Sequence, residues 1–337
     1  MNKVKAQDIL TDDQIAIVRK RSDLRAIWIA AHAWGTCFAA MALFVYFPNP
    51  LTFILAFVVI GSRQLGLAIL MHDAAHGVLA KSPKLNEFIG QWLGAYPLMA
   101  ETWSYRRYHL QHHNNTQQAE DPDLILSAPF PITKKSFRRK MWRDITGQTG
   151  YQQRKAQILS AFGPADMPLD TRLKRYWSKL GRATVTHLIL LTGLTATGHW
   201  YLYFVLWLLP FLTWHQVITR IRNIAEHAMV PDSDDVFRSS RTTVLSLWER
   251  AFFGPYWVNY HVEHHLMMWI PCYNLPKAQE FLKENGHWHR METKNGYWEV
   301  IKMATSKPDD QDKPGEVIHN TRRRVAGITS EGFEAAN

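Results

Sequence analysis

The chain opens with a polar, mixed-charge stretch and then turns apolar over residues 27–47 (IWIAAHAWGTCFAAMALFVYF), 21 residues without Asp, Glu, Lys or Arg. A helix of that length rises about 30 Å and crosses a hydrocarbon core. Further apolar runs cover 51–71, 183–198 and 201–218. Pro48-Asn49-Pro50 separates the first pair and Gly198-His199-Trp200 the second, so each pair predicts a transmembrane helical hairpin. Arg63 and Gln64 interrupt the second run and are expected to face the bundle, because an Arg opposed to lipid costs about 2.5–3.5 kcal/mol. The shorter apolar stretches 84–100, interrupted by Pro97, and 244–258, with Trp and Tyr suited to the headgroup level, predict interfacial segments. From about 305 the sequence loses apolar periodicity, and the tail is expected to be disordered.

These elements predict an all-α integral membrane protein with four membrane helices in two hairpins and a cytoplasmic helical cap. Its parts would be an N-terminal segment (1–26), a membrane and catalytic domain (27–304) and a tail (305–337). The opening MNKVKAQDILTDDQ lacks the pattern of a cleaved signal peptide, so the first membrane helix is expected to be retained. Charge sets the orientation. Neither hairpin turn contains Lys or Arg, whereas residues 101–182 hold fifteen against seven acids. The positive-inside rule therefore places both termini and the long central segment in the cytoplasm. The net charge of +10 is read as orientation and as attraction to anionic lipid or an acidic protein, with no nucleic-acid partner expected. Two cysteines, Cys37 and Cys272, are too few for a thiolate metal site.

Histidines carry the chemistry. Eight of the sixteen fall in three clusters, His72-Asp-Ala-Ala-His76, His109-Leu-Gln-His112-His113 and His261-Val-Glu-His264-His265. At this composition an H-x-x-H-H match is expected roughly 0.03 times by chance, and two are present. Histidines at i and i+4 share a helix face. Each cluster is therefore expected to offer its two or three nitrogens to a common point. Asn223-Ile-Ala-Glu-His227 adds a ninth imidazole, and nine exceed what one ion binds, so two metals are implied. Imidazole suits Fe, Zn, Cu and Ni alike. Asp73, Glu226 and Glu263 are expected to accept N–H bonds from ligand imidazoles. The Glu120-Asp121-Pro122-Asp123 run could do the same or form a solvated turn. His32, His187, His199, His215, His287 and His289 are read as lying outside the site.

The boxes HDAAH, HLQHH and HVEHH, in this order around two hairpins, resemble those of the integral-membrane fatty acid desaturase/hydroxylase superfamily. The resemblance extends from about residue 27 to 285. It implies that His72, His76, His109, His112, His113, His227, His261, His264 and His265 bind two irons that act catalytically with O₂ as co-substrate, and that Asn223 holds a metal through water. It implies a lipid or fatty acyl substrate that loses two hydrogens to form a C=C bond. Hydroxylation of a lipid or carotenoid is the alternative. No His-Pro-Gly-Gly motif of a fused cytochrome b5 is present, so a separate ferredoxin-like or cytochrome b5-like donor is expected, met by a basic face around Arg106, Arg107 and residues 134–140. A zinc hydrolase needs only three protein ligands, and a metal transporter would place them mid-membrane; both fit nine histidines outside the apolar runs less well.

Overall fold

The computed structural model describes residues 4–308. The chain is mostly helical. Its helices are α1 (Asp12–Val18), α2 (Asp23–Tyr46), α3 (Pro50–His76), α4 (Pro83–Phe88), α5 (Thr102–Asn114), α6 (Leu124–Ser127), α7 (Lys134–Ile145), α8 (Gln148–Phe162), α9 (Leu169–Ala196), α10 (Leu209–Leu212), α11 (Trp214–His227), α12 (Leu247–Phe252), α13 (His261–Leu266), α14 (Leu275–Glu284) and α15 (Gly296–Ala304). Two short strands, β1 (Thr242–Val244) and β2 (Thr293–Asn295), pair in parallel with Thr242 opposite Thr293, a departure from the all-α expectation. Most of the predicted tail lies outside the described residues.

The first hairpin forms where the sequence predicts it. Asn49 caps α3 by accepting from Leu51 and Thr52 N–H, Pro50 occupies the first turn, and Gly77 ends the helix in the left-handed region (φ 71°). One helix thus carries both the apolar run and His72 and His76. Its Arg63 is buried and donates to the Ala251 carbonyl, while Gln64 donates to that of Trp207 at 2.8 Å. Both face the bundle, as expected.

Among the described residues three helical segments are long and apolar enough to cross a membrane: Asp23–Tyr46, Pro50–His76 and Tyr203–His227. The predicted third run, 183–198, instead forms the second half of the 28-residue α9, whose first half carries Arg172, Lys174, Arg175, Lys179 and Arg182. That charge keeps α9 from qualifying as a span throughout. The Tyr203–His227 segment is not one smooth helix: a π-helical turn covers Tyr203–Leu208, Pro210 follows, and Thr213 departs from helical geometry (φ −123°, ψ −86°) before α11.

Trp34 of α2 stacks on Trp207 with ring centroids 5.2 Å apart, joining the first hairpin to the third span. The helical stretch 83–98 packs directly along α3. A Cβ at Gly90 would lie 2.2 Å from the Ala74 Cβ, and one at Gly94 would lie 3.0 Å from the Leu67 carbonyl oxygen. Only glycine allows this approach, which buries Ile89, Gln91 and Tyr96 while Phe88 stays exposed. On the outer side of α11, Val217, Ile221 and Ile224 pack with Tyr297, Val300 and Ala304 around α15. The inner side of α11 carries His227.

Candidate metal centre

Four helices bring the nine histidines together in two groups. His72, His76, His109, His113 and His264 form one, and His112, His227, His261 and His265 the other; in each group the ligand atoms lie within 4.8 Å of one another. This corrects the expectation that each box serves a single point. The i, i+4 pairs 72/76, 109/113 and 261/265 stay together, while His112 and His264, at i+3, cross to the opposite group. At 100° per residue an i+3 side chain and its i+4 neighbour diverge by a quarter turn, so each H-x-x-H-H box spans both groups.

The Nε2 atoms face one another. In the five-histidine group His72 and His264 are 3.0 Å apart, His264 and His113 2.9 Å, and His113 and His109 3.0 Å. In the other, His227, His112, His265 and His261 close a ring with edges of 3.2, 3.4, 3.1 and 2.7 Å. A planar ring of such edges has its centre about 2.2 Å from each nitrogen, close to the metal–imidazole bond length of about 2.0–2.1 Å. Hydrogen bonding alone accounts poorly for the arrangement, since a neutral imidazole donates only one proton. The Nε2 of His76 is buried without any partner. The donor set therefore fits two metal ions.

Electrostatics favours the ligating form. Burial, followed by neighbouring imidazoles, holds His109, His113, His264 and His265 well below the ordinary histidine range, and burial with the charges of His227 and Arg222 does so for His261. These rings are neutral at pH 7, with lone pairs free for a metal. His112 is the exception. Burial lowers its pKa too, but the hydrogen bond to Asp121 and the charges of Asp121 and Asp123 outweigh it and leave a net rise.

Carboxylates orient some of the rings. His72 Nδ1 lies 3.1 Å from Asp73 Oδ1, and His112 Nδ1 lies 2.8 Å from Asp121 Oδ1. Asp121 is buried and also accepts from the backbone N–H of Gln117 and Asp123, so this acidic run is not merely a solvated turn. Glu263 departs from its expected role. It points to the opposite side of α13, where it accepts from the Thr242 hydroxyl and the Gln279 amide. Glu226 accepts from Arg222 Nε at 2.6 Å and leaves its other oxygen 3.6 Å from His261 Nε2, so it too makes no hydrogen bond to a ligand imidazole.

Three contributors escaped the sequence reading. Thr116 places its hydroxyl 3.3 Å from His265 Nδ1; its spacing four residues after His112 was the available signal. Tyr105 stacks on His109 with centroids 5.0 Å apart. Arg241, wholly buried, donates to the carbonyls of Ala225, Ala228 and Met229 and to Glu292, tying down the end of α11 that presents His227. Asn223 lines a cavity of about 180 Å³ beside the four-histidine group, with Tyr105, Tyr108, Asp123, Glu226 and His227. None of the histidines read as outside the site joins either group. His32 meets Tyr256 and His187 meets Tyr203 instead.

The family model "Fatty acid desaturase" matches residues 48–294, a range that contains all nine histidines. The chain belongs to this family. Among curated desaturase relatives, dihydrorhizobitoxine desaturase of Bradyrhizobium elkanii is 32% identical over 235 residues, covering 67% of this chain and 66% of that protein, just under two thirds of its length. The sn-1 oleoyl-lipid 12-desaturase of a Picosynechococcus species is 24% identical, covering 73% of each chain. A β-carotene ketolase of a Paracoccus species is 26% identical over 75% of this chain and 88% of its own. The curated relatives that the chain matches thus include both desaturases and a ketolase. The chain's three apolar spans agree with a membrane location.

Proposed function

We propose that the protein is a membrane-bound, di-iron, O₂-dependent lipid desaturase. The observation that carries this reading is the division of nine buried imidazoles into groups of five and four, with facing Nε2 atoms spaced as they would be around two metal ions. Two irons held by these groups would supply the oxidising power that removal of hydrogen from an unactivated carbon requires. The chain's own residues hold and orient. Asp73 and Asp121 fix the rings of His72 and His112, Thr116 meets His265, and Asn223 faces the cavity beside His227, where a bridging water has room. Arg241 clamps the carboxyl end of α11. The apolar spans would receive the acyl chain and exclude water from it. Four membrane helices with α9 as the third, and a cytoplasmic site, complete the proposed topology.

Electrons would come from a separate acidic redox protein. A surface groove of about 780 Å³ between α7 and α15 is lined by Lys134, Phe137, Arg138, Trp298, Lys302 and Lys307. Both α7 and α15 pack against α11, the helix that ends in His227. The groove's charge complements an acidic donor. The ketolase relative supports oxygen insertion as the second reading.

Mass-spectrometric lipid and pigment profiles of a host expressing the chain, beside one expressing the His112→Ala/His264→Ala variant, test the proposal. Loss of two hydrogens from acyl chains, dependent on both histidines, is expected. Gain of an oxygen would transfer the chain to the oxygenases, and zinc-dependent activity without reductant would overturn the redox reading.

A further inference from the structure

A crevice of about 280 Å³ lies between the first half of α2 and the turn that follows α12, away from the histidine groups and lined by Trp28, His32, Arg250, Tyr256 and Trp257. No carboxylate lines it. The adjacent Glu249 is committed elsewhere, accepting from Ser246 N–H and hydroxyl and from Tyr297 N–H, so Arg250 has no acidic partner among the described residues. A second guanidinium, Arg63, stands 5.6 Å behind the Tyr256 ring. The crevice is therefore positive, aromatic-walled and free of compensating acid.

The rim is apolar in a particular way. Leu247 and Trp248 of α12 are 82% and 75% exposed and Trp28 of α2 is 68% exposed. Leu247 and Trp248 share α12 with Arg250, and exposed large apolar and indole side chains on the same short helix as a cation are the composition of a membrane–water interface. The wall is also built at some conformational expense, since Tyr256 and Trp257 are consecutive non-glycine residues with left-handed φ of 51° and 60°. Two contacts hold this turn. The Tyr256 hydroxyl meets His32 Nδ1 at 2.8 Å, and its ring lies so close over Gly66 of α3 that a Cβ there would come within 2.5 Å of it. Six residues further along α3, about 9 Å of helix rise, is His72.

We propose that this crevice binds the anionic head of the lipid substrate, with Arg250 taking the charge and Trp28 and Trp257 flanking the ester region. Arginine recognises phosphate and carboxylate oxygens by the same paired N–H donors. The head is then fixed at the bilayer surface, and the acyl chain runs beside α3 towards the histidines. The inference rests on the lipid-oxidising reading of the metal centre, while its test does not depend on turnover.

Binding of dioctanoyl phosphatidylglycerol and of octanoate to the detergent-solubilised full chain, measured by native mass spectrometry, provides that test. Phosphatidylglycerol is expected to bind at least tenfold more weakly to Arg250→Gln than to the parent, with part of the affinity restored in Arg250→Lys. The His112→Ala/His264→Ala variant is expected to bind like the parent, so loss of catalysis and loss of head binding remain distinguishable. Arg250-dependent binding of octanoate in place of phosphatidylglycerol would assign the head to a carboxylate. Equal binding by the parent and Arg250→Gln would overturn the proposal. In turnover, Arg250→Gln should raise KM with kcat changed less than twofold.

Discussion

Asp121→Asn is the substitution in which the geometry around the metal centre makes its sharpest prediction. The parent carboxylate has one oxygen shared by His112 Nδ1 at 2.8 Å and the Asp123 N–H at 2.9 Å, and the other taken by the Gln117 N–H at 2.7 Å. All three partners are donors. An asparagine can satisfy only one side, because its NH₂ must face either the Gln117 N–H or the pair on the other side. Whichever way it turns, a buried donor loses its acceptor, a loss of about 1–3 kcal/mol in stability. The negative charge that orients His112 is removed as well. Loss of such an outer carboxylate lowers metal affinity about 10–100-fold, or roughly 1.4–2.7 kcal/mol. Asp123→Asn is the control, since Asp123 lies 3.7 Å from His112 Nδ1, beyond hydrogen-bonding range, and instead accepts from the Tyr108 hydroxyl. Metal retention during chelator titration, followed on purified protein, should show the Asp121 variant losing one of two ions early and the Asp123 variant close to the parent. Equal retention by Asp121→Asn and the parent would refute this role of Asp121.

Other outcomes follow from the same packing. Gly90→Ala should destabilise the protein by about 1–3 kcal/mol, because the Ala74 methyl it meets cannot swing away; a thermal midpoint within error of the parent would contradict the close approach to α3. Arg241→Met strips hydrogen bonds from three carbonyls at the end of α11 and leaves Glu292 without its partner. It should cost about 3–5 kcal/mol and release metal from the four-histidine group first, as read by metal analysis after mild heating. Acidification has a defined sign. His109, His113, His261, His264 and His265 have native pKa values below the ordinary value, so the unfolded chain takes up protons first as pH falls. Stability of the metal-free protein should drop below pH 6.5 by up to about 1.4 kcal/mol per pH unit for each such ring, with His112 and the buried Glu263, whose pKa values are raised, opposing. A melting temperature that stays level or rises between pH 6.5 and 5.5 would refute the assignment of buried neutral rings.

Local signals made much of this legible. Asn49-Pro50 and Gly77 mark the two ends of α3 through capping chemistry that depends only on neighbours in sequence, and the boxes carry their own helical spacing. The partition of the boxes did not follow from sequence. Whether His112 joins His109 or His227 depends on how α5, α11 and α13 approach one another, and the sequence reading allowed all three members of a box to converge. Glu263 was misassigned for the same reason, because β1, a three-residue strand without a pattern of its own, supplies the Thr242 that holds it. The fourth predicted membrane helix was read as ending at 218 with His227 beyond it, whereas the helical segment continues through a kink at Thr213 to the ligand itself. The 183–198 run shows the limit of hydropathy: its apolar half is plain in the sequence, but the strongly basic first half belongs to the same helix.

Iron counting by inductively coupled plasma mass spectrometry on the purified full chain tests the central claim most directly. The account predicts two irons per chain in the parent and about one in His227→Ala, which removes a ligand from the four-imidazole group and leaves the five-imidazole group whole. Stoichiometric zinc in a preparation active without reductant, or two irons retained in His227→Ala, would contradict it.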